Sequence, residues 1–131
     1  MSEMTSPEPM RFEDAAQWEA WLSEHHGDTG GVWLLIAKKG SGLPLLSIED
    51  AAYAGLCFGW IDSHRRGYDE HSFLQRFSRR RRRSPWSRIN VGRVESLIAA
   101  GRMRAPGLAE MAAAQHDGRW ARALGRDVAA S

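Results

Sequence analysis

Five consecutive arginines, Arg79–Arg83, run directly into Ser84, Pro85 and Trp86, and this order of residue types sets up a physical conflict. The spacing predicts a helix that starts at Pro85 with Ser84 as its N-cap, and a helix N-terminus carries roughly half a positive charge. Cations are disfavoured there, yet five precede it and Arg88 falls in its first turn. A bound anion would resolve the conflict, since guanidinium forks, serine hydroxyls and free backbone N–H groups together make a receptor for one. Arg76, Arg83 and Arg88 are the expected anion contacts, with Ser84 and Ser87 as hydroxyl and capping contributors. Trp60, at the start of a predicted hairpin, and Trp86 are the expected walls for a planar group, although core packing competes for both. Asn90 falls near the inward face of its helix, where a buried amide needs partners, so it ties the helix to the hairpin or orients a site residue. Asp62 belongs to the same neighbourhood as an ion-pair partner for an arginine. The competing interpretation of the arginine run is a solvated loop that pairs with acidic groups elsewhere.

Two other chemistries are open. A phosphate backbone could track along Arg79–Arg83, which would make the chain a nucleic-acid-binding module. Alternatively Asp62 and His64 share a strand face, with His71 able to approach across the hairpin, which suffices for acid–base work in a small hydrolase or isomerase or for a weak metal site. Asp69 and Cys57 are further candidates, Cys57 reading better as a small core residue. No H-E-x-x-H, P-loop, G-x-G-x-x-G or G-x-S-x-G pattern occurs, so neither a metal nor a cofactor is expected.

The charge distribution points to the same segment. Residues 1–61 carry 3 basic and 9 acidic groups, a net −6, whereas residues 62–93 carry 10 arginines against 3 acids, a net +7. Every basic group in that middle segment is arginine, the residue suited to planar, bidentate contact with phosphate or carboxylate. The acidic N-terminal third limits attraction to nucleic acid, so such binding is expected to be weak. An anionic or planar small molecule is the expected partner. The longest apolar run, Gly30 to Ala37, falls far short of the roughly 20 residues of a membrane helix, and the N-terminus lacks a secretory pattern. With a single cysteine and no membrane partner, the expectation is a cytoplasmic protein.

The elements that must position these residues follow from periodicity. Residues 1–11 are predicted as a flexible tail, 12–120 as one domain and 121–131 as a C-terminal tail. Asp14 precedes a helix over about Ala15–His26, with Trp18, Trp21, Leu22 and His25 on one face and Gly27 as a left-handed cap. Gly31–Lys38 reads as a strand covered on both sides or central in a small sheet. Ser47 opens a helix to about Phe58, closed by Gly59. Trp60–Arg65 and Ser72–Phe77 alternate with period two and predict a β-hairpin. The Pro85 helix, running to about Ala100, is expected to bury Trp86, Ile89, Val94, Leu97 and Ile98. A last helix, Pro106 to about His116, would turn Leu108, Met111 and Ala112 inward. The fold class is α+β, a small antiparallel sheet of one strand plus a hairpin, covered by about four helices.

Several ordered strings carry a resemblance. Leu56–Ser63 (LCFGWIDS), Gln75–Phe77 (QRF), Arg83–Asn90 (RSPWSRIN), Gly101–Met103 (GRM), Pro106–Leu108 (PGL) and Asp117–Trp120 (DGRW) are similar to the bacterial YdeI/OmpD-associated family, also labelled a bacteriocin-protection family. The likeness spans about Trp18 to Trp120. Where that family often shows Thr-Pro, this chain has Ser78 and Arg79, which lengthens the arginine run. The resemblance implies a small protein of stress tolerance or self-protection, and the missing catalytic motifs lean away from an enzyme.

Overall fold

The computed structural model describes residues 8–125. Five helices and three strands follow in the order α1 (Ala15–His25), β1 (Val32–Ala37), α2 (Ile48–Cys57), β2 (Trp60–Gly67), β3 (Ser72–Arg79), α3 (Arg88–Ala99), α4 (Ala105–His116) and α5 (Arg119–Ala123). The α+β class holds, with one helix more than expected, because the chain after Gly118 closes a short α5. The sheet is antiparallel with order β1-β3-β2. The central position therefore belongs to β3, and β1 is an edge strand. Its outer edge is occupied by Met10, whose N–H donates to the Trp33 carbonyl at 2.8 Å and whose carbonyl accepts from Leu35 at 3.0 Å. Met10 lies within the expected N-terminal tail, as Ala121–Ala123 of α5 lie within the expected C-terminal one; residues 1–7 and 126–131 are outside the described residues.

Leu34 and Ile36 of β1 and Phe77 of β3 face the helices, and with Trp18, Leu22, Trp60 and Val94 they make the core. Trp18 is its centre: its ring meets Phe12, Trp21, Trp60 and Phe77 at centroid distances of 5.5 to 6.3 Å, and its Nε1 donates to the Ala51 carbonyl. An indole can be buried this completely only because its one donor is satisfied.

Local capping explains where the helices begin and end. Asp14 and Ser47 cap α1 and α2 by accepting from the N–H groups three residues on. The predicted left-handed cap at Gly27 is absent, since α1 closes on His26 in a right-handed conformation with its N–H on the Leu22 carbonyl. Gly59, with φ of 78°, does end α2 as predicted, and Pro106 packs so close that the carbonyl would lie 3.1 Å from an added Cβ.

The largest correction concerns α3, which starts at Arg88 rather than Pro85. Ser87 is the N-cap, its hydroxyl accepting from the Asn90 N–H at 3.1 Å. Ser84 closes a turn instead, accepting from the Arg81 N–H at 2.8 Å. The buried face is Val91, Val94 and Leu97, and Ile89 is 67% and Ile98 44% exposed. In α4 the inward residues are Gly107 and Ala114, while Leu108 and Ala112 are exposed and Met111 is half-buried. Gly107 sits where its backbone meets the Leu56 and Cys57 carbonyls, and only a small residue allows that approach.

Candidate functional site

The arginine run does not behave as one ribbon. Arg79 stays exposed and donates from Nη1 to the Gly27 carbonyl at 3.1 Å. Arg80 turns inward, only 5% exposed, and its guanidinium lies 3.8 Å from the Trp86 ring centroid. Arg81, Arg82 and Arg83 remain at the surface. Where a strand end meets an extended segment, a backbone step of one residue swaps inside for outside, and Trp86, itself 8% exposed, supplies the face that receives Arg80. On the same indole Trp120 packs at a centroid distance of 5.0 Å.

The Arg80–Trp86 stack holds an uncommon concentration of unmet polar groups. Arg80 Nη1 donates to the Pro85 carbonyl at 3.0 Å, but its Nε and Nη2 are buried without partners, and so is Trp86 Nε1. Buried orphan donors are rare, and each costs on the order of 1–3 kcal/mol. Burial pushes the Arg80 guanidinium down to about 10; Glu110 and Asp62 oppose the shift through space without an ion pair, and Arg119 adds to it.

Beside the stack lies a cleft of about 560 Å³. Pro85, Trp86 and Ala123 form its apolar part. Three arginines, Arg83, Arg119 and Arg122, face a single carboxylate, Asp117. Arg119 is already committed: Nε donates to both Asp117 oxygens at 2.9 Å and Nη1 to the Ser84 carbonyl at 2.7 Å. The Arg119 hydrogen bond in turn holds the Asp117 carboxyl below its usual range. Among the described residues no hydrogen bond or ion pair engages the Arg83 or Arg122 side chain. The cleft thus offers two uncommitted guanidiniums and an indole wall, which suits a planar anion.

Of the residues expected at the site, the cleft gathers Arg83 and Trp86, with Ser84 behind it through its carbonyl. Trp60 is not a wall: it is fully buried, edge-on to Trp18 and Trp21, with Nε1 donating to the His26 carbonyl. Ser87 is used up as the α3 cap. Arg88 donates to the Leu124 carbonyl at 3.0 Å and so ties α3 to the end of α5. Asn90 reaches neither hairpin nor site, its amide oxygen accepting from Arg93 on the next turn. Arg76 lies apart, donating to the Gly30 carbonyl at 2.8 Å in a second cleft of about 250 Å³ shared with Arg79, Arg80 and Arg81.

The acid–base alternative is not assembled. Asp62 and His64 are exposed and separated by the bulge between Asp62 and Arg65, which breaks the alternation that would align them. His71 sits at the far end of the hairpin, 3.4 Å from Glu70. Asp69 builds the turn, where the Ser72 hydroxyl and the N–H groups of His71 and Ser72 hold its carboxyl low. Burial pushes the Cys57 thiol up, so it is no ready thiolate. Among the described residues no three His, Cys, Asp or Glu side chains gather as metal ligands.

Asp117 and Arg119 stand in the DGRW string and Arg122 in the expected C-terminal tail, but none of the three was expected at the site. The signal available was Gly118, whose φ of 90° seats α5 with Arg119 and Arg122 one turn apart. No helix among the described residues is long and apolar enough to cross a membrane. The family model described as a domain of unknown function, DUF8412, matches residues 10–110. No curated protein and no solved structure matches the chain.

Proposed function

The chain belongs to the DUF8412 family, a domain of unknown function, and we propose that it is a small non-enzymatic protein that binds a planar anion in the cleft beside the Arg80–Trp86 stack. The observation that carries this is the pair of guanidiniums, Arg83 and Arg122, that line the cleft beside Trp86 with no hydrogen-bond or ion-pair partner among the described residues. Two uncommitted guanidiniums select a negatively charged, planar acceptor. Pro85, Trp86 and Ala123 give its flat part an apolar surface. The likeness to the YdeI/OmpD-associated strings supports a role in stress tolerance or self-protection. Melting with benzenesulfonate or sulfate, against chloride at equal ionic strength, tests the site. Ligand at about 100 times its dissociation constant adds roughly 2.7 kcal/mol by mass action. Arg83→Ala with Arg122→Ala should lose that gain and keep only the general salt effect. Equal stabilisation of variant and wild type would sink the proposal.

A second reading, weak binding of a nucleic-acid backbone, draws on the smaller cleft, where Arg76, Arg79 and Arg81 line a space with no carboxylate. Backbone binding falls steeply with salt. Affinity for single-stranded DNA that holds between low and physiological salt would remove that reading.

A further inference from the structure

We propose that a third cleft, at the opposite end of the sheet, binds a small amphipathic anion: an aliphatic or aromatic carboxylate of low molecular weight. The first two clefts lie beyond the Arg79 end of β3. The third, of about 420 Å³, opens at the other end, where β1 finishes at Ala37 and β2 at Gly67. Ala37, Ile48 and Phe73 form its apolar floor.

Two separate chain segments set cations around that floor: Lys38 and Lys39 from the turn after β1, and Arg65 from the end of β2, whereas the guanidinium of the neighbouring Arg66 lies over the Trp33 ring at 4.9 Å. No carboxylate is among the lining residues; Glu49 and Asp50 sit on the first turn of α2 outside it. One cation is already fixed in place. Arg65 lies over the Phe73 ring at 4.2 Å and donates from Nε to Gln75 Oε1 at 3.0 Å, and no hydrogen bond among the described residues engages its two terminal nitrogens. A guanidinium held flat on an aromatic floor presents its outer N–H groups at the edge of an apolar surface. The matching ligand has an apolar body for the floor and one anionic end for the rim. An inorganic ion would leave the floor wet, and an uncharged hydrocarbon would leave the cations unmatched. A floor of three side chains suits one small molecule better than a membrane or a nucleic-acid strand.

Gly67 provides the test, because a Cβ there meets nothing within 4 Å and the residue needs no left-handed backbone. Gly67→Glu would therefore put a carboxylate at the cleft without strain, and Gly67→Gln is its neutral counterpart. Octanoate and octylammonium are each titrated into the full chain by calorimetry, in competition with one another. The expected result is binding of octanoate and not of octylammonium of equal chain length. Gly67→Glu should weaken octanoate at least about tenfold, the effect of about 1.4 kcal/mol of repulsion, while Gly67→Gln stays within about threefold. Arg83→Ala with Arg122→Ala should leave it unchanged, since the two clefts share no residue. Equal competition by octylammonium, equal affinity in Gly67→Glu, loss in the Arg83/Arg122 variant, or binding to anionic vesicles without binding to octanoate would each overturn the proposal.

Discussion

Replacing Arg80 by methionine should leave the fold nearly as stable as wild type, a result at odds with the usual cost of altering a 5%-exposed side chain. The charge is expensive. Burial holds the guanidinium down at about 10, so the folded protein binds this proton less tightly than the unfolded chain does. The protonated form therefore opposes folding at every pH below about 10, fully so at neutrality, and at about 1.36 kcal/mol per pKa unit the penalty is on the order of 3 kcal/mol. Against it stand one charged hydrogen bond to the Pro85 carbonyl, about 1.5–3 kcal/mol, and the stack on Trp86, about 2 kcal/mol. Methionine removes both sides of this balance, fills much of the space and keeps a sulfur–aromatic contact of up to about 1.5 kcal/mol. The net change should stay within about 1 kcal/mol, or roughly 4 °C in Tm for a chain of this length. Urea unfolding followed by tryptophan fluorescence, with a thermal melt alongside, reads it. A loss above about 3 kcal/mol is what breaking a buried ion pair costs, and it would mean that Glu110 or Asp62 partners Arg80 in solution.

Three further outcomes follow from the packing. Trp18→Ala should cost about 4 kcal/mol, since it empties the centre of the aromatic core and removes the hydrogen bond to the Ala51 carbonyl; a urea midpoint near wild type would contradict that placement. Gly107→Ala should destabilise by about 2 kcal/mol because its Cβ would collide with the Cys57 carbonyl and lie 2.6 Å from that of Leu56, whereas Gly92→Ala, with open space in mid-helix, should stabilise by about 0.5–1 kcal/mol; melts in which the two agree in sign would refute the α4 and α3 placements. The hydrogen bonds that hold the Asp69 carboxyl low stabilise the hairpin turn above the unfolded-state value of 3.8 and are lost as pH falls through the lower folded value. Melts from pH 6 to pH 2 should accordingly show a shallower acid decline for Asp69→Asn, and an unchanged slope would count against the turn.

Strong local signals were legible in the sequence. Asp14 and Ser47 start their helices as their side chains dictate, and the period-two runs on either side of residues 66–71 form the hairpin. Where two serines compete, local rules fail. Ser84-Pro85 is as good a start as Ser87, and tertiary packing decides, because only an extended Pro85–Trp86 segment lets the indole reach both Arg80 and Trp120. With Trp86 outside the helix, Ile89 no longer shares its face and lies outside, while Ile98 is exposed on the last turn of α3. The site was half legible: the arginine run and Trp86 stand out, but Arg119 and Arg122 join them through contacts 35 residues or more along the chain, beyond the reach of periodicity. Nor does composition reveal that one arginine in five consecutive ones is buried; its inward turn depends on an aromatic face six residues on.

The most direct test of anion binding beside the Arg80–Trp86 stack is the indole N–H resonance of Trp86, assigned through Trp86→Phe, during titration with benzenesulfonate. Trp86 lines the cleft, so a ligand seated there should move this signal in a saturable way, and move it far less in Arg83→Ala with Arg122→Ala. A Trp86 signal that stays fixed through the titration while the protein remains folded would contradict the account.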